Sequence, residues 1–115
     1  MKKISVVVPC YNEEEGIEIF YKELKNELDL IKNYTKEIIF INDGSKDNTI
    51  KILKDLRLKD KKIKIINFSR NFGKESAMLA GLQNSTGDYI VVMDSDLQHP
   101  PKKIIEMVRG IEERI

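Results

Sequence analysis

Four short apolar runs limit what this chain can fold into. They are Lys3–Val8 (KISVVV), Glu37–Ile41 (EIIFI), Lys62–Phe68 (KIKIINF) and Tyr89–Met93 (YIVVM). Each is rich in β-branched residues and too short for a helix. Each also breaks sharply into Pro9, Asn42-Asp43-Gly44, Ser69-Arg70-Asn71 or Asp94, so each is predicted to be a buried strand. The segments between them have helical spacing. From Glu13 to Ile31, residues Ile17, Phe20, Leu24, Leu28 and Ile31 share one face. Ile50, Leu53 and Leu56 do the same in a second helix, which Ser45 is placed to cap. A third helix, Glu75–Asn84, has only the small residues Ala77, Ala80 and Gly81 on its inward face, which lets a helix approach a sheet closely. A last helix is predicted from Pro101, with Ile104, Ile105, Val108 and Ile111 inward.

Strands that alternate with helices, and that are apolar along their whole length, predict an α/β fold with a Rossmann-like parallel sheet covered on both faces. Crossovers in such sheets are right-handed, so the turns Pro9–Glu13, Asn42–Ser45, Ser69–Lys74 and Asp94–His99 all emerge on one edge. That edge, outside the carboxyl ends of the strands, is where open α/β sheets bind ligands. The polar, chemically suggestive segments of the chain all fall on it. Glu13, Glu14 and Glu15 are expected in the first turn of the first helix, where the dipole favours negative charge, and Glu13 keeps a second reading as a site residue. Cys10 is read as an inert loop thiol without a histidine partner.

A length of 115 residues allows one domain at most. The net charge of +1 gives no electrostatic reason for nucleic-acid binding, and the lysines between positions 51 and 64 read as a solvated face. One cysteine excludes an internal disulfide and fits a reducing compartment, so a cytoplasmic location is expected. The run Ile4–Val8 is too short for a signal-peptide core or a membrane span, and no other segment approaches membrane length.

Strand alternation puts Asp94 and Asp96 on one side and Ser95 on the other. Two adjacent carboxylates repel unless a cation lies between them. All-oxygen ligation suits Mg²⁺ or Mn²⁺, with Gln98 as a further donor. The plainer alternative makes both acids solvated residues ahead of the last helix; their place at the end of a buried strand favours the metal. His99 stands beside them, but a loop histidine is more often not a ligand. Two phosphate-binding signatures fail. Gly-x-Gly-x-x-Gly is missing after the first strand, and Gly73-Lys74 ends no P-loop because Phe68 and Glu75 stand where Gly and Ser/Thr are needed. A receiver domain would carry its acid pair near the first strand, whereas here it comes last. What remains is a metal-assisted site with groups suited to a base and a ribose. Asp43 can accept from a pyrimidine N–H, Tyr11 can stack on a ring, and Arg70 and Lys74 can reach phosphates. Each also has an ordinary use: Asp43 as a turn former, Tyr11 as a half-buried loop aromatic, and the two cations as surface charges.

Pro9-Cys10-Tyr11-Asn12-Glu13-Glu14, Asn42-Asp43-Gly44-Ser45-Lys46-Asp47-Asn48-Thr49, Arg70-Asn71-Phe72-Gly73-Lys74 and Asp94-Ser95-Asp96-Leu97-Gln98 closely resemble, in order and spacing, the family-2 glycosyltransferases of GT-A fold. The Arg-Asn-Phe-Gly-Lys-Glu and Asp-Leu-Gln-His-Pro-Pro segments look most like the branch that glycosylates polyprenyl or dolichyl phosphates. The resemblance implies an inverting transfer from a UDP- or GDP-linked sugar to a lipid phosphate, with a saccharide hydroxyl as the alternative acceptor. By the same analogy Pro9, Tyr11, Asn12, Glu13, Asp43, Arg70, Lys74 and Asp94 bind the donor, Asp94 either through the metal or on its sugar-ribose side. Asp94, Asp96 and Gln98 gather the metal and diphosphate. A phosphate acceptor is already anionic, so a strong general base is less necessary than for a hydroxyl. Relatives of this kind have a longer catalytic domain, acceptor-binding segments and membrane helices. Residues 1–115 therefore resemble the N-terminal donor half of a protein associated with the cytoplasmic face of a membrane, and any acceptor-activating residue is expected past Ile115. Self-association through the Tyr89–Asp94 edge or the adjacent helix face is expected. Two rival readings are a nucleotide-binding module that never catalyses and a phosphohydrolase with Asp94 as nucleophile.

Overall fold

The computed structural model describes residues 1–95. Strands β1 (Lys2–Cys10), β2 (Tyr34–Asn42), β3 (Ile63–Asn67) and β4 (Tyr89–Val92) alternate with helices α1 (Ile17–Leu30), α2 (Thr49–Lys59) and α3 (Lys74–Asn84). The strands pair in the order β3-β2-β1-β4, all parallel, with Val7 opposite both Ile39 and Val92. Alternation along the strands divides the apolar residues between two faces. Ile4, Val6 and Val8 of β1, Ile38 and Phe40 of β2 and Val91 of β4 pack with Ile17, Phe20 and Leu24 of α1 and Leu53 of α2. Val7, Ile39 and Ile41 lie on the other face under Ala77 of α3. The chain steps from β1 to β2 to β3 with α1 and α2 on one face. It then returns past β2 and β1 to β4 with α3 on the opposite face, as right-handed crossovers require. The strand order thus reverses between β1 and β4, and a crevice opens there at the carboxyl ends.

The small inward face of α3 does what its sequence predicts. Ala77 and Gly81 are buried, and a Cβ at Gly81 would fall 2.3 Å from Val7 Cγ1. Ala80 is only half-buried, on the flank of the helix.

Several boundaries differ from the sequence reading, each for a local reason. Helix α1 starts at Ile17 behind Gly16, so Glu13, Glu14 and Glu15 precede it, and Glu18 is the acid of its first turn. The backbone N–H groups of Glu13 and Glu14 are bound instead by Thr49 Oγ1 (2.9 Å) and Asp47 Oδ2 (3.2 Å), and Asn12 turns left-handed with φ 51°. Ser45 does not cap α2. That helix starts at Thr49, whose N–H donates to Asp47 Oδ1 at 2.9 Å, while Ser45 Oγ donates to Asn42 Oδ1. Cys10 ends β1 instead of lying in a loop. Burial first, then the nearby carboxylates of Glu13, Asp47 and Asp43, push its thiol up to about 12, which accords with an inert cysteine. Asp96, Gln98, His99 and the predicted last helix lie outside the described residues. Among the described residues no helix is long and apolar enough to cross a membrane.

The edge of the sheet away from the crevice holds a buried acid. Glu37 is 3% exposed, and its Oε2 accepts from Ser5 Oγ, from Thr86 N at 2.7 Å and from Thr86 Oγ1 at 3.0 Å. Its Oε1 lies 2.6 Å from Lys64 Nζ and 3.5 Å from Lys3 Nζ. Burial by itself would raise this carboxyl, but the hydrogen bonds from Lys64, Ser5 and Thr86 outweigh it and hold it at about 2. Gly87 N donates to Ser5 Oγ at 2.8 Å, so the turn before β4 is fastened to β1 and β2 together.

Candidate functional site

Asp43 directly follows β2, and its N–H donates to Cys10 O at 2.9 Å, extending the β1–β2 ladder by one rung. Its carboxylate is buried and turned towards the loop after β3. Oδ1 accepts Phe72 N at 2.8 Å, and Oδ2 accepts Gly73 N at 3.1 Å and Asn71 Nδ2 at 3.3 Å. A carboxylate offers about four acceptor positions, so the donors among the described residues leave one unclaimed. The next residue fixes the same loop by shape. Gly44 has φ 69°, and a Cβ there would lie 2.2 Å from the Arg70 carbonyl carbon. No other residue type permits so close an approach.

The loops after β1 and β2 brace each other. Asn12 N donates to Ser45 Oγ at 2.9 Å, Lys46 N to Asn12 Oδ1 at 2.8 Å, and Asn48 N to Glu14 Oε2 at 3.2 Å. Side chains thus satisfy backbone groups that no ladder reaches. Asn42 Nδ2 extends the brace to the end of β3 by donating to Asn67 Oδ1 at 2.9 Å.

Within this frame Pro9, Tyr11, Glu13, Asp43, Lys74 and Asp94 line one cleft of about 190 Å³, with Cys10 and Ser95 in its floor. Tyr11 keeps an exposed ring at its mouth. Asp94 follows β4 between the buried Met93 and Ser95, so the alternation of the strand continues past its last rung and turns this acid outward. Lys74 Nζ stands 2.6 Å from Asp94 Oδ1. Two other residues with sequence-predicted roles do not line this cleft. Arg70 lies over the Phe72 ring, 4.7 Å from its centroid, and Asn12 faces a separate hollow with Glu14, Glu15 and Asp47. Sequence reading missed the support given by Asn71, whose amide binds both the carbonyl and the carboxylate of Asp43. Its only sequence signal is an Asn in a loop that also carries Gly.

Asp94 brings one carboxylate to the cleft, paired there with the Lys74 ammonium, and its hard oxygen is of the kind that suits Mg²⁺ or Mn²⁺. Among the described residues no group of three or more His, Cys, Asp or Glu is placed to hold a metal. Asp96 and Gln98, the other two predicted donors, lie outside them.

The family model described as glycosyl transferase family 2 matches residues 5–114. A prophage bactoprenol glucosyl transferase homolog of Escherichia coli K12 is 50% identical over 106 residues, covering 92% of this chain and 34% of that protein. Among solved structures, S. aureus TarS in complex with UDP-GlcNAc superposes with a TM-score of 0.72 at 26% identity, covering 99% of this chain and 32% of that one. Glucosyl-3-phosphoglycerate synthase from Mycobacterium tuberculosis, in complex with Mn²⁺, UDP and glucosyl-3-phosphoglycerate, gives 0.66 at 27% identity, covering 95% and 39%. The chain spans about a third of the length of the curated relatives it matches. The sheet order, the cleft shared by the strand ends and the match across residues 5–114 agree, and the chain belongs to glycosyl transferase family 2, with the GT-A fold.

Proposed function

We propose that residues 1–115 are the donor-binding part of a metal-dependent, inverting glycosyltransferase that moves a sugar from a nucleoside diphosphate to a polyprenyl phosphate. The observation that carries this reading is the cleft at the β1–β4 reversal, lined by the exposed Tyr11, by Asp43 and by the Lys74–Asp94 pair. At about 190 Å³ it is smaller than a pocket for a whole nucleotide-sugar, and it suits the nucleoside and the start of the diphosphate. The bactoprenol name of the relative supports the lipid acceptor. The parent protein would then work at the cytoplasmic face of a membrane.

In this reading Tyr11 stacks on the base, and the unclaimed acceptor position of Asp43 takes an N–H from its edge. Pro9 and Glu13 form the wall towards the ribose, and Lys74 meets the diphosphate. Asp94, with Asp96 and Gln98, would hold Mg²⁺ or Mn²⁺, which when bound neutralises the charge that grows on the leaving diphosphate. An oxygen of the acceptor phosphate attacks the anomeric carbon from the face opposite the leaving group. A new C–O bond forms as the bond to the diphosphate breaks, and the electron pair departs with the nucleoside diphosphate. The test is calorimetry of UDP and GDP with Mg²⁺, with Mn²⁺ and with a chelator. Metal-dependent binding of one nucleotide is expected; equal affinity in all three conditions removes the metal from the account.

The partner of β4 among the described residues is β1, and Ile90 and Val92 of β4 are 42% and 37% exposed. An apolar strand whose outer edge meets no other strand among the described residues favours pairing with a second copy of the chain, and we assign self-association of residues 1–115 to it.

A further inference from the structure

The Lys74–Asp94 pair joins opposite banks of the cleft. Lys74 opens α3, and the preceding residue, Gly73, is tied through its N–H to Asp43 at 3.1 Å. Its backbone therefore belongs to the β2–β3 bank, whereas Asp94 follows β4 across the reversal. The lysine side chain is 59% exposed and that of Asp94 21%, so the ammonium spans the open side of the cleft and meets the better-buried acid at 2.6 Å. A long, exposed lysine gains little from such a pair and leaves it readily.

We propose that Lys74 holds the place of a cation on Asp94 in the empty site and exchanges partners when the donor arrives. This rests on the donor-binding reading above. In the empty protein the ammonium neutralises Asp94 and occupies the position that a divalent ion needs. An incoming diphosphate offers Lys74 a more highly charged partner within reach of the same flexible stem. The ammonium swings to a phosphate oxygen, and Asp94 is freed for the cation that accompanies the nucleotide. Asp94 is paired at every stage, and the metal and the diphosphate bind tightly only together. Exchange is open to Lys74 because only its side chain moves; the loop beneath stays fixed by Asp43.

Opposite effects on two ligands follow from one substitution. Lys74→Gln removes the competitor, so Mn²⁺ alone, followed by the electron paramagnetic resonance signal of the free ion, is expected to bind about threefold to fivefold tighter than to wild type. The same variant lacks the diphosphate contact, so UDP or GDP in saturating Mn²⁺ is expected to bind about tenfold more weakly by calorimetry. Lys74→Arg, which keeps the charge, should restore the weaker binding of Mn²⁺ alone. Unchanged or weaker Mn²⁺ binding by Lys74→Gln overturns the placeholder, and unchanged nucleotide affinity overturns the exchange. If wild type binds one of the nucleotides, either result sinks this inference and leaves the donor reading intact. A wild-type chain that takes neither UDP nor GDP overturns both.

Discussion

The backbone N–H of Phe72 donates to Asp43 Oδ1 across 2.8 Å, so one carboxylate at the end of β2 sets the path of the loop that carries Arg70 and Lys74. The acid that the proposed function assigns to the base is therefore also a fastener of the loop. Asp43→Ala is expected to lose nucleoside affinity and, in addition, about 2 kcal/mol of stability, because Phe72 N and Gly73 N lose a charged acceptor. Asp43→Asn keeps one acceptor oxygen but sets an NH₂ against one of these N–H groups, and should destabilise by a similar amount. Urea unfolding beside calorimetry checks this; loss of binding with unchanged stability would restrict Asp43 to the ligand.

Gly44→Ala tests the same loop from beneath. The new methyl would press on the Arg70–Asn71 peptide from a left-handed backbone, and should cost about 2 kcal/mol or more. Nucleotide affinity should fall with it, since Lys74 rides on the displaced loop. A crystal structure of the variant with an unmoved loop would contradict this account.

Glu37 predicts an acid limit to stability. Its folded-state value of about 2 lies below the ordinary 4.5, so its contribution is fully present above pH 4.5 and is lost as the pH falls from there through about 2. The loss is of the order of 2–3 kcal/mol. Glu37→Gln should lower stability at neutral pH, because Lys64 and Lys3 lose their counter-charge, and should flatten the acid limb. Urea midpoints of both proteins between pH 7 and 3 check this. An equally steep limb in the variant would move the effect to other acids.

The exposed edge of β4 makes a prediction about association. Light scattering over a concentration series should show residues 1–115 growing in mass, and the double substitution Ile90→Lys with Val92→Lys should return a monomer. Nucleotide affinity should survive, because Ile90 and Val92 do not line the cleft. Wild type that stays monomeric throughout contradicts the role given to this edge.

The strands and helices up to residue 95 were legible because burial leaves a periodic trace: Ile17, Phe20, Leu24 and Leu28 are all buried, and so are Leu53 and Leu56. Exchanges between side chains and distant backbone leave no such trace. Nothing in the string Tyr11–Glu15 says that Thr49 and Asp47 will take the N–H groups that would otherwise begin a helix earlier. Glu37 was hidden for a similar reason. A charge at the start of an apolar run reads as the solvated end of a strand, and its burial depends on Ser5, Lys64 and Thr86, which come from three other places in the chain. The convergence of Asp43, Lys74 and Asp94 on one edge was legible, since handed crossovers alone bring the strand ends together.

The pairing of β4 with β1 has a consequence in time. A ribosome delivers β1, β2 and β3 in the order in which they lie side by side, so each can settle against its neighbour as it emerges. The crevice beside β1 has no second wall until the residues near 90 have been made, because Val6 waits for Val91 and Val7 for Val92. During synthesis the pocket is therefore completed after the three strands that make its first bank, and the core between sheet and α1 closes only when Val91 and Met93 arrive. An early stop leaves β1 with β2 alone beside it and the crevice with a single bank.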